Sequence, residues 1–157
     1  MTSQLGTSVP ALSRVRDRNA LFRALGDAVE PGSGTGVLVV VGFEGMAEFL
    51  ERRSGFEQQQ LLGGFAETLL ASIGDESAVY QSRRGEFCIV FEGGLQAIRP
   101  QLTLLPCELD QIGRPHGIRA SLGVAILPDE ATVPTYALAL ADRRLRALSG
   151  DLRIDAR

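Results

Sequence analysis

Ala78-Val79-Tyr80-Gln81-Ser82-Arg83-Arg84-Gly85-Glu86-Phe87-Cys88-Ile89-Val90-Phe91 is the stretch whose reading decides the fold. Ala78–Tyr80 and Phe87–Phe91 are short runs rich in β-branched and aromatic residues. Between them Ser82–Gly85 is polar and ends on glycine, the composition of a turn. The stretch therefore reads as a β-hairpin whose tip carries two adjacent guanidiniums.

Upstream, Glu57–Ile73 has Leu61, Leu62, Phe65, Leu69 and Ile73 at helical spacing. A shorter helix is expected over Gly45–Arg53. Before it, Val37–Val41 is an unbroken apolar run, β-branched except at Leu38, which suits a central strand buried on both faces. Residues 31–36 hold four of the chain's glycines and prolines in a loop that precedes a strand, so they are not a phosphate loop. Asp17 is placed to cap a helix over Arg18–Val29, with Leu21, Phe22, Leu25, Ala28 and Val29 as its stripe. Downstream, Gly93-Gly94 breaks the chain. A helix is expected over Leu95–Leu105, a strand over Gly117–Leu127, and a last helix over Thr135–Leu148 with Pro134 at its start. The expectation is an α/β (α+β) chain with a mixed central sheet flanked by helices. One domain would span 11–150, between a flexible lead-in over 1–10 and a polar tail over 151–157.

Composition narrows the chemistry. All 16 basic residues are arginine, and the net charge is −3. No lysine is available as a phosphate clamp or general base, so any anion must meet the planar guanidinium fork. The charge balance gives no case for nucleic acid or an acidic membrane. No run is long enough to span a bilayer, and the first ten residues are neither a signal peptide nor an anchor. Cys88 and Cys107 lack metal-ligand spacing and read as reduced thiols of a cytoplasmic protein. With one histidine, His116, zinc catalysis of the usual kind is not expected.

Four segments then carry a resemblance. Leu12–Arg18 resembles an L-T-x-L-x-N-R lead into a first helix. Tyr80–Phe87 resembles a Y-R-L-G-G-D-E-F hairpin, Ala120–Ala125 a V-S-I-G-V-A strand, and Ala141–Leu145 an A-D-x-A-L helix segment. In this order and at these separations they resemble the GGDEF (diguanylate cyclase-like) family. That resemblance implies a fold of the nucleotide-cyclase palm type and, for intact members, joining of two GTP molecules with Mg²⁺ held by carboxylates.

Carried over residue by residue, the resemblance implies a degraded site. The family's D-x-D-x-F-K stretch falls on Gly42-Phe43-Glu44-Gly45-Met46-Ala47. Gly42 then stands at the metal-binding Asp and Glu44 at the second acid; a shift of one residue would put Phe43 at the metal position. The signature turn is Arg83, Arg84, Gly85, Glu86 and Phe87, in which only Glu86 and Phe87 are kept. The former metal positions are thus Gly42, Glu44 and Glu86. The guanine-reading positions fall on Leu50 (or Glu51) and Gln59. The product-inhibition R-x-x-D motif would end at Ser77, where Gly74-Asp75-Glu76-Ser77 does not match it. No residue is assigned a catalytic or metal role, and no bound cofactor is expected.

Three functions remain open from these residues. The first is a non-catalytic, regulatory or protein-interaction module in bacterial cyclic-di-GMP-type signalling, with a protein partner or a second copy as its target. The second is a sensor in which Gln59, Arg83 and Arg84 bind GTP or a cyclic dinucleotide without turnover. The third is a weak diguanylate cyclase with an altered metal site, using Glu44 and Glu86. The bland alternative for Arg83 and Arg84 is a solvated turn, and for Arg143, Arg144 and Arg146 a solvated helix face.

Overall fold

The structure is a computed structural model and describes residues 10–147. The lead-in before residue 10, the Leu148 end of the last helix and the tail over 151–157 lie outside the described residues. In chain order the elements are α1 (Ala11–Arg14), α2 (Arg18–Ala28), β1 (Gly36–Glu44), α3 (Met46–Arg52), α4 (Gly55–Ile73), β2 (Val79–Arg83), β3 (Glu86–Glu92), α5 (Leu95–Gly113), β4 (Arg119–Leu127) and α6 (Pro134–Ala147).

The sheet runs in the order β2-β3-β1-β4. The expected α+β class and the helices on both faces are present, but the sheet is not mixed: its three ladders are all antiparallel. Strands β1 and β2 do run the same way, joined through α3 and α4, but β3 lies between them. Strands β3 and β4 likewise run together across α5, with β1 between. Each crossover skips a strand, so no parallel neighbours result. Among the described residues, parallel pairing is confined to one isolated bridge, Arg16 with Tyr80.

The valine run explains why β1 is central. It is buried from Gly36 to Gly42, and its alternating side chains feed two cores. Val37, Val39 and Val41 join Phe65 and Leu69 of α4 and Leu102 and Leu109 of α5. Leu38 and Val40 join Leu21 and Leu25 of α2 and Leu140 and Ala141 of α6. Asp17 caps α2 as expected, accepting from the Ala20 amide at 2.9 Å.

Two helices depart from expectation. Helix α4 begins at Gly55 because Ser54 and Glu57 form a reciprocal capping box. Helix α5 continues past Pro106 to Gly113. A proline within a helix costs about 3 kcal/mol. Continuing the helix buries Leu109 completely, and burying one leucine stabilises by roughly 1.5–3 kcal/mol, so tertiary packing offsets the local penalty. The one-turn α1 was not anticipated; Leu12 and Val15 in and beside it pack on the α4 side of the sheet.

Helix α6 sits unusually close to β4. A Cβ added at Gly123 would lie 2.7 Å from the Leu145 amide nitrogen and 2.8 Å from Leu145 Cβ, with the Ala141 carbonyl oxygen nearer still. Glycine at 123 is what lets the last helix lie this low, and it brings Leu145 towards the end of β1.

Candidate functional site

Where β1 ends, its alternation splits the three residues of interest. Phe43 turns into the core, stacked on Phe65 at 4.2 Å between ring centroids and edge-on to Phe87 at 6.3 Å. Gly42 and Glu44 turn to the other side, where they line a hollow of about 620 Å³. Phe43 borders the same hollow, but its ring belongs to the core. Four further groups close the hollow: Met46 and Leu50 of α3, the hairpin tip Arg83–Glu86, Ser121 of β4, and Asp142, Leu145 and Arg146 of α6.

Gly42 is not simply a missing carboxylate, because its side-chain space is taken. A Cβ there would meet Leu145 Cδ1 at 2.9 Å and Cδ2 at 3.2 Å. An aliphatic side chain from α6 thus occupies the place from which a carboxylate would project. Glu44 is exposed at the strand end, across from Arg119 in the β1–β4 register.

The hairpin tip is held by packing and by charge. Gly85 has a left-handed φ of 85°, a region that disfavours side chains. A Cβ there would also lie 2.7 Å from Met46 Cγ and 3.2 Å from Leu50 Cδ1. The third signature position is therefore pressed onto α3 with no room for an acid. Glu86 is kept, but both carboxylate oxygens are engaged. One accepts from the buried Ser82 hydroxyl. The other accepts from Arg83 Nη2 at 3.3 Å. Phe87 is fully buried in the core.

Arg84 is tethered from a different element. Its Nε donates to Gln58 Oε1 at 3.1 Å. The Gln58 amide in turn donates to the carbonyls of Leu50 at 2.9 Å and Arg53 at 3.0 Å. Gln58 thus ties the end of α3, the start of α4 and the hairpin tip together. Gln59, the residue aligned with guanine recognition, is exposed on α4 and does not line the hollow. The capping box was the missed signal: with Ser54 as N-cap, Gln58 faces the last carbonyls of the preceding helix.

The basic stretch of α6 is divided. Arg146 reaches the hollow and pairs with Asp142 at 2.9 Å. That hydrogen bond raises the pKa of the guanidinium further. Arg144 turns to the far side of β4, where it pairs with Glu130 at 2.7 Å. Arg143 is exposed.

The hollow therefore has three guanidiniums, from Arg83, Arg84 and Arg146, against three carboxylates, from Glu44, Glu86 and Asp142. Two of those carboxylates are spent on neighbouring arginines. Among the described residues, no group of three or more His, Cys, Asp or Glu side chains is placed to hold a metal ion. A divalent cation here would meet one exposed carboxylate outside those ion pairs, an aliphatic wall and the Arg84 guanidinium, which is a poor fit for Mg²⁺.

Three other expectations concern places away from this hollow. Gly74 caps α4, and Asp75 accepts from the Ser77 amide at 3.0 Å. Asp75 and Ser77 border a second hollow of about 670 Å³ that also includes Arg16 and Tyr80. His116 lies edge-on to Phe49, 5.4 Å between centroids, as a plain packing residue. Cys88 is buried, and desolvation pushes its thiol up to about 12; Cys107 is exposed.

No protein-family model and no curated protein matches this chain. Solved structures do. The FimX GGDEF domain from Pseudomonas aeruginosa superposes with a TM-score of 0.70 at 17% identity, covering 91% of this chain and 93% of that one. The GGDEF domain of DgcB from Caulobacter crescentus, solved in complex with c-di-GMP, gives 0.66 at 20% identity, covering 94% and 92%. Diguanylate cyclase SiaD from Pseudomonas aeruginosa, in complex with its activator SiaC, gives 0.72 at 16% identity, covering 95% of this chain and 61% of that one. At these identities the likeness is one of fold: the chain has the GGDEF-domain fold.

Proposed function

We propose that this GGDEF-fold chain does not make cyclic dinucleotide and acts as a regulatory, protein-interaction module in cyclic-di-GMP-type signalling. The observation that carries the reading is the contact between Leu145 and the side-chain space of Gly42, 2.9 Å from an added Cβ. Phosphoryl transfer is catalysed almost wholly by positioning and charge neutralisation. A site that cannot gather carboxylates around a cation has lost both. What the chain keeps is a rigid scaffold, whose work would be to dock on a protein partner or a second copy. It is proposed to do so in the cytoplasm. In support, none of the helices among the described residues is long and apolar enough to cross a membrane. Incubation with GTP and Mg²⁺ or Mn²⁺ tests the reading. No cyclic dinucleotide should form, and robust turnover would overturn it.

A second reading, a nucleotide sensor without turnover, is favoured by one arrangement. Gln58 engages only the Nε of Arg84, which leaves the remaining guanidinium nitrogens available at the mouth of the hollow for an anionic oxygen. Calorimetry with GTP and cyclic di-GMP separates the two readings: heat of binding that disappears in Arg84→Gln supports the sensor, and flat traces leave the interaction module.

A further inference from the structure

The charges around the hollow beside Gly42 are only partly paired. Arg83 pairs with Glu86 at 3.3 Å, and Arg146 with Asp142 at 2.9 Å. Among the described residues, that leaves Arg84 on the hairpin tip and Glu44 at the end of β1 as the exposed lining charges without an ion pair.

Arg84 is nevertheless held in place. Its Nε donates to Gln58 Oε1 at 3.1 Å, and Gln58 is itself fixed by donating to the carbonyls of Leu50 and Arg53. Part of the entropy cost of ordering a long side chain is thereby met before any ligand arrives. With Nε engaged, the edge formed by the two Nη atoms is left, and its N–H groups match the two oxygens of one carboxylate. Met46, Leu50 and Leu145 supply an aliphatic wall to the same hollow. A positioned arginine with apolar side chains around it is the composition of an interface hot spot.

The balance of charge selects the anion. Arg83, Arg84 and Arg146 stand against Glu44, Glu86 and Asp142, so the lining is neutral as a whole. A single carboxylate satisfies Arg84 and leaves both ion pairs intact. A phosphate carries roughly two negative charges at neutral pH, and a triphosphate more. Either would face three carboxylates with one unpaired guanidinium to offset them, and like charges brought together oppose binding.

We propose that this hollow is a docking site for an acidic segment of a protein partner. An Asp or Glu side chain of the partner seats on Arg84, its aliphatic neighbours pack on Met46, Leu50 and Leu145, and Gln58 is the positioning residue for the guanidinium. This names the partner chemistry of the interaction module proposed above and rests on that reading.

NMR of the isotope-labelled full chain tests it, through the Arg84 Nε–H resonance and, in variants that lack the arginine, the Gly85 amide. The probes are the end-capped tripeptide Leu-Glu-Leu, its uncharged counterpart Leu-Gln-Leu, inorganic phosphate and GTP. Leu-Glu-Leu should shift the resonances saturably and bind at least about tenfold tighter than Leu-Gln-Leu or phosphate. Arg84→Gln should abolish that preference. Gln58→Leu should narrow it as well as weaken binding, whereas a purely structural loss would weaken both peptides alike. No saturable shift with Leu-Glu-Leu, equal binding of the two peptides, or an undiminished preference in Arg84→Gln overturns the proposal. Phosphate or GTP binding more tightly than Leu-Glu-Leu overturns it in favour of the nucleotide sensor. Should a variant lose the parent's circular dichroism, the comparison of the four probes on the parent decides alone. Cyclic dinucleotide made from GTP would instead remove the non-catalytic reading itself, so the two failures are told apart.

Discussion

Placing a carboxylate at residue 42 should damage the protein, and Leu145 should be the reason. In Gly42→Asp the first added atom alone would lie 2.9 Å from Leu145 Cδ1 and 3.2 Å from Cδ2. Carbon atoms rest at about 3.5–4.0 Å, so Leu145 must give way by roughly half an ångström or more. Overpacking of this kind costs about 1–3 kcal/mol, and the lower half applies because the clashing atoms are the free end of a side chain. Gaining a Cβ in a strand returns roughly 0.5–1 kcal/mol relative to glycine. Setting the carboxylate against the aliphatic leucine adds about 1–3 kcal/mol of unmet polar burial. The net expectation is a loss of about 2–3 kcal/mol for Gly42→Asp, and near zero to 1 kcal/mol for Gly42→Ala. Leu145→Ala should relieve most of the former, giving a coupling of about 1 kcal/mol or more between the two positions. Urea unfolding of the four proteins at constant m-value measures this cycle. A Gly42→Asp cost that is negligible, or that Leu145→Ala leaves unchanged, would refute the claim that Leu145 fills the old ligand space.

Other consequences follow from the same geometry. Gly123→Ala should cost more than Gly42→Ala, upwards of about 3 kcal/mol, because the added atom meets the backbone of α6 rather than a side-chain tip; thermal unfolding ranks the two. A thiol reagent at mildly alkaline pH should titrate one cysteine in the native protein and two in denaturant. Cys107 is exposed, whereas Cys88 is buried with its thiol pushed up to about 12. The Arg144 hydrogen bond holds the Glu130 carboxyl below its ordinary range. Its contribution is therefore complete above the unfolded carboxyl pKa and lost as pH falls through the lower folded value. Glu130→Gln should flatten that part of the acid limb of the urea midpoint. The effect should stay below about 1 kcal/mol because the pair is solvent-screened.

Much of the fold was legible because it is written in local periodicity. Val37–Val41 announced a central strand, and the polar tip of the hairpin between two apolar arms announced β2 and β3. Neighbour relations were less legible. Nothing in either crossover told that a strand would be inserted between the strands it joins, which is why a mixed sheet was expected where an antiparallel one forms. Helix α5 runs beyond the expected Leu105 because Leu109 is buried in the core, which local sequence does not show. At the site, Gly42, Glu44 and the hairpin tip line one hollow. The occupant of the empty ligand space was not foreseen, because Leu145 lies about a hundred residues away in sequence and arrives through the glycine-enabled descent of α6 onto β4. Gln59 came from the resemblance; Gln58 is the residue that reaches the hairpin tip, because adjacent helix positions point about 100° apart and the Ser54 cap sets that phase.

Electron paramagnetic resonance of Mn²⁺ titrated into the protein, with and without GTP, tests the central claim most directly. The account predicts that the spectrum matches the protein-free control in both cases, aqueous Mn²⁺ without GTP and the Mn²⁺–GTP complex with it, since the space beside Gly42 is filled and Glu86 is engaged by Ser82 and Arg83. A bound-metal spectrum that appears with GTP and vanishes in Glu86→Ala would contradict it.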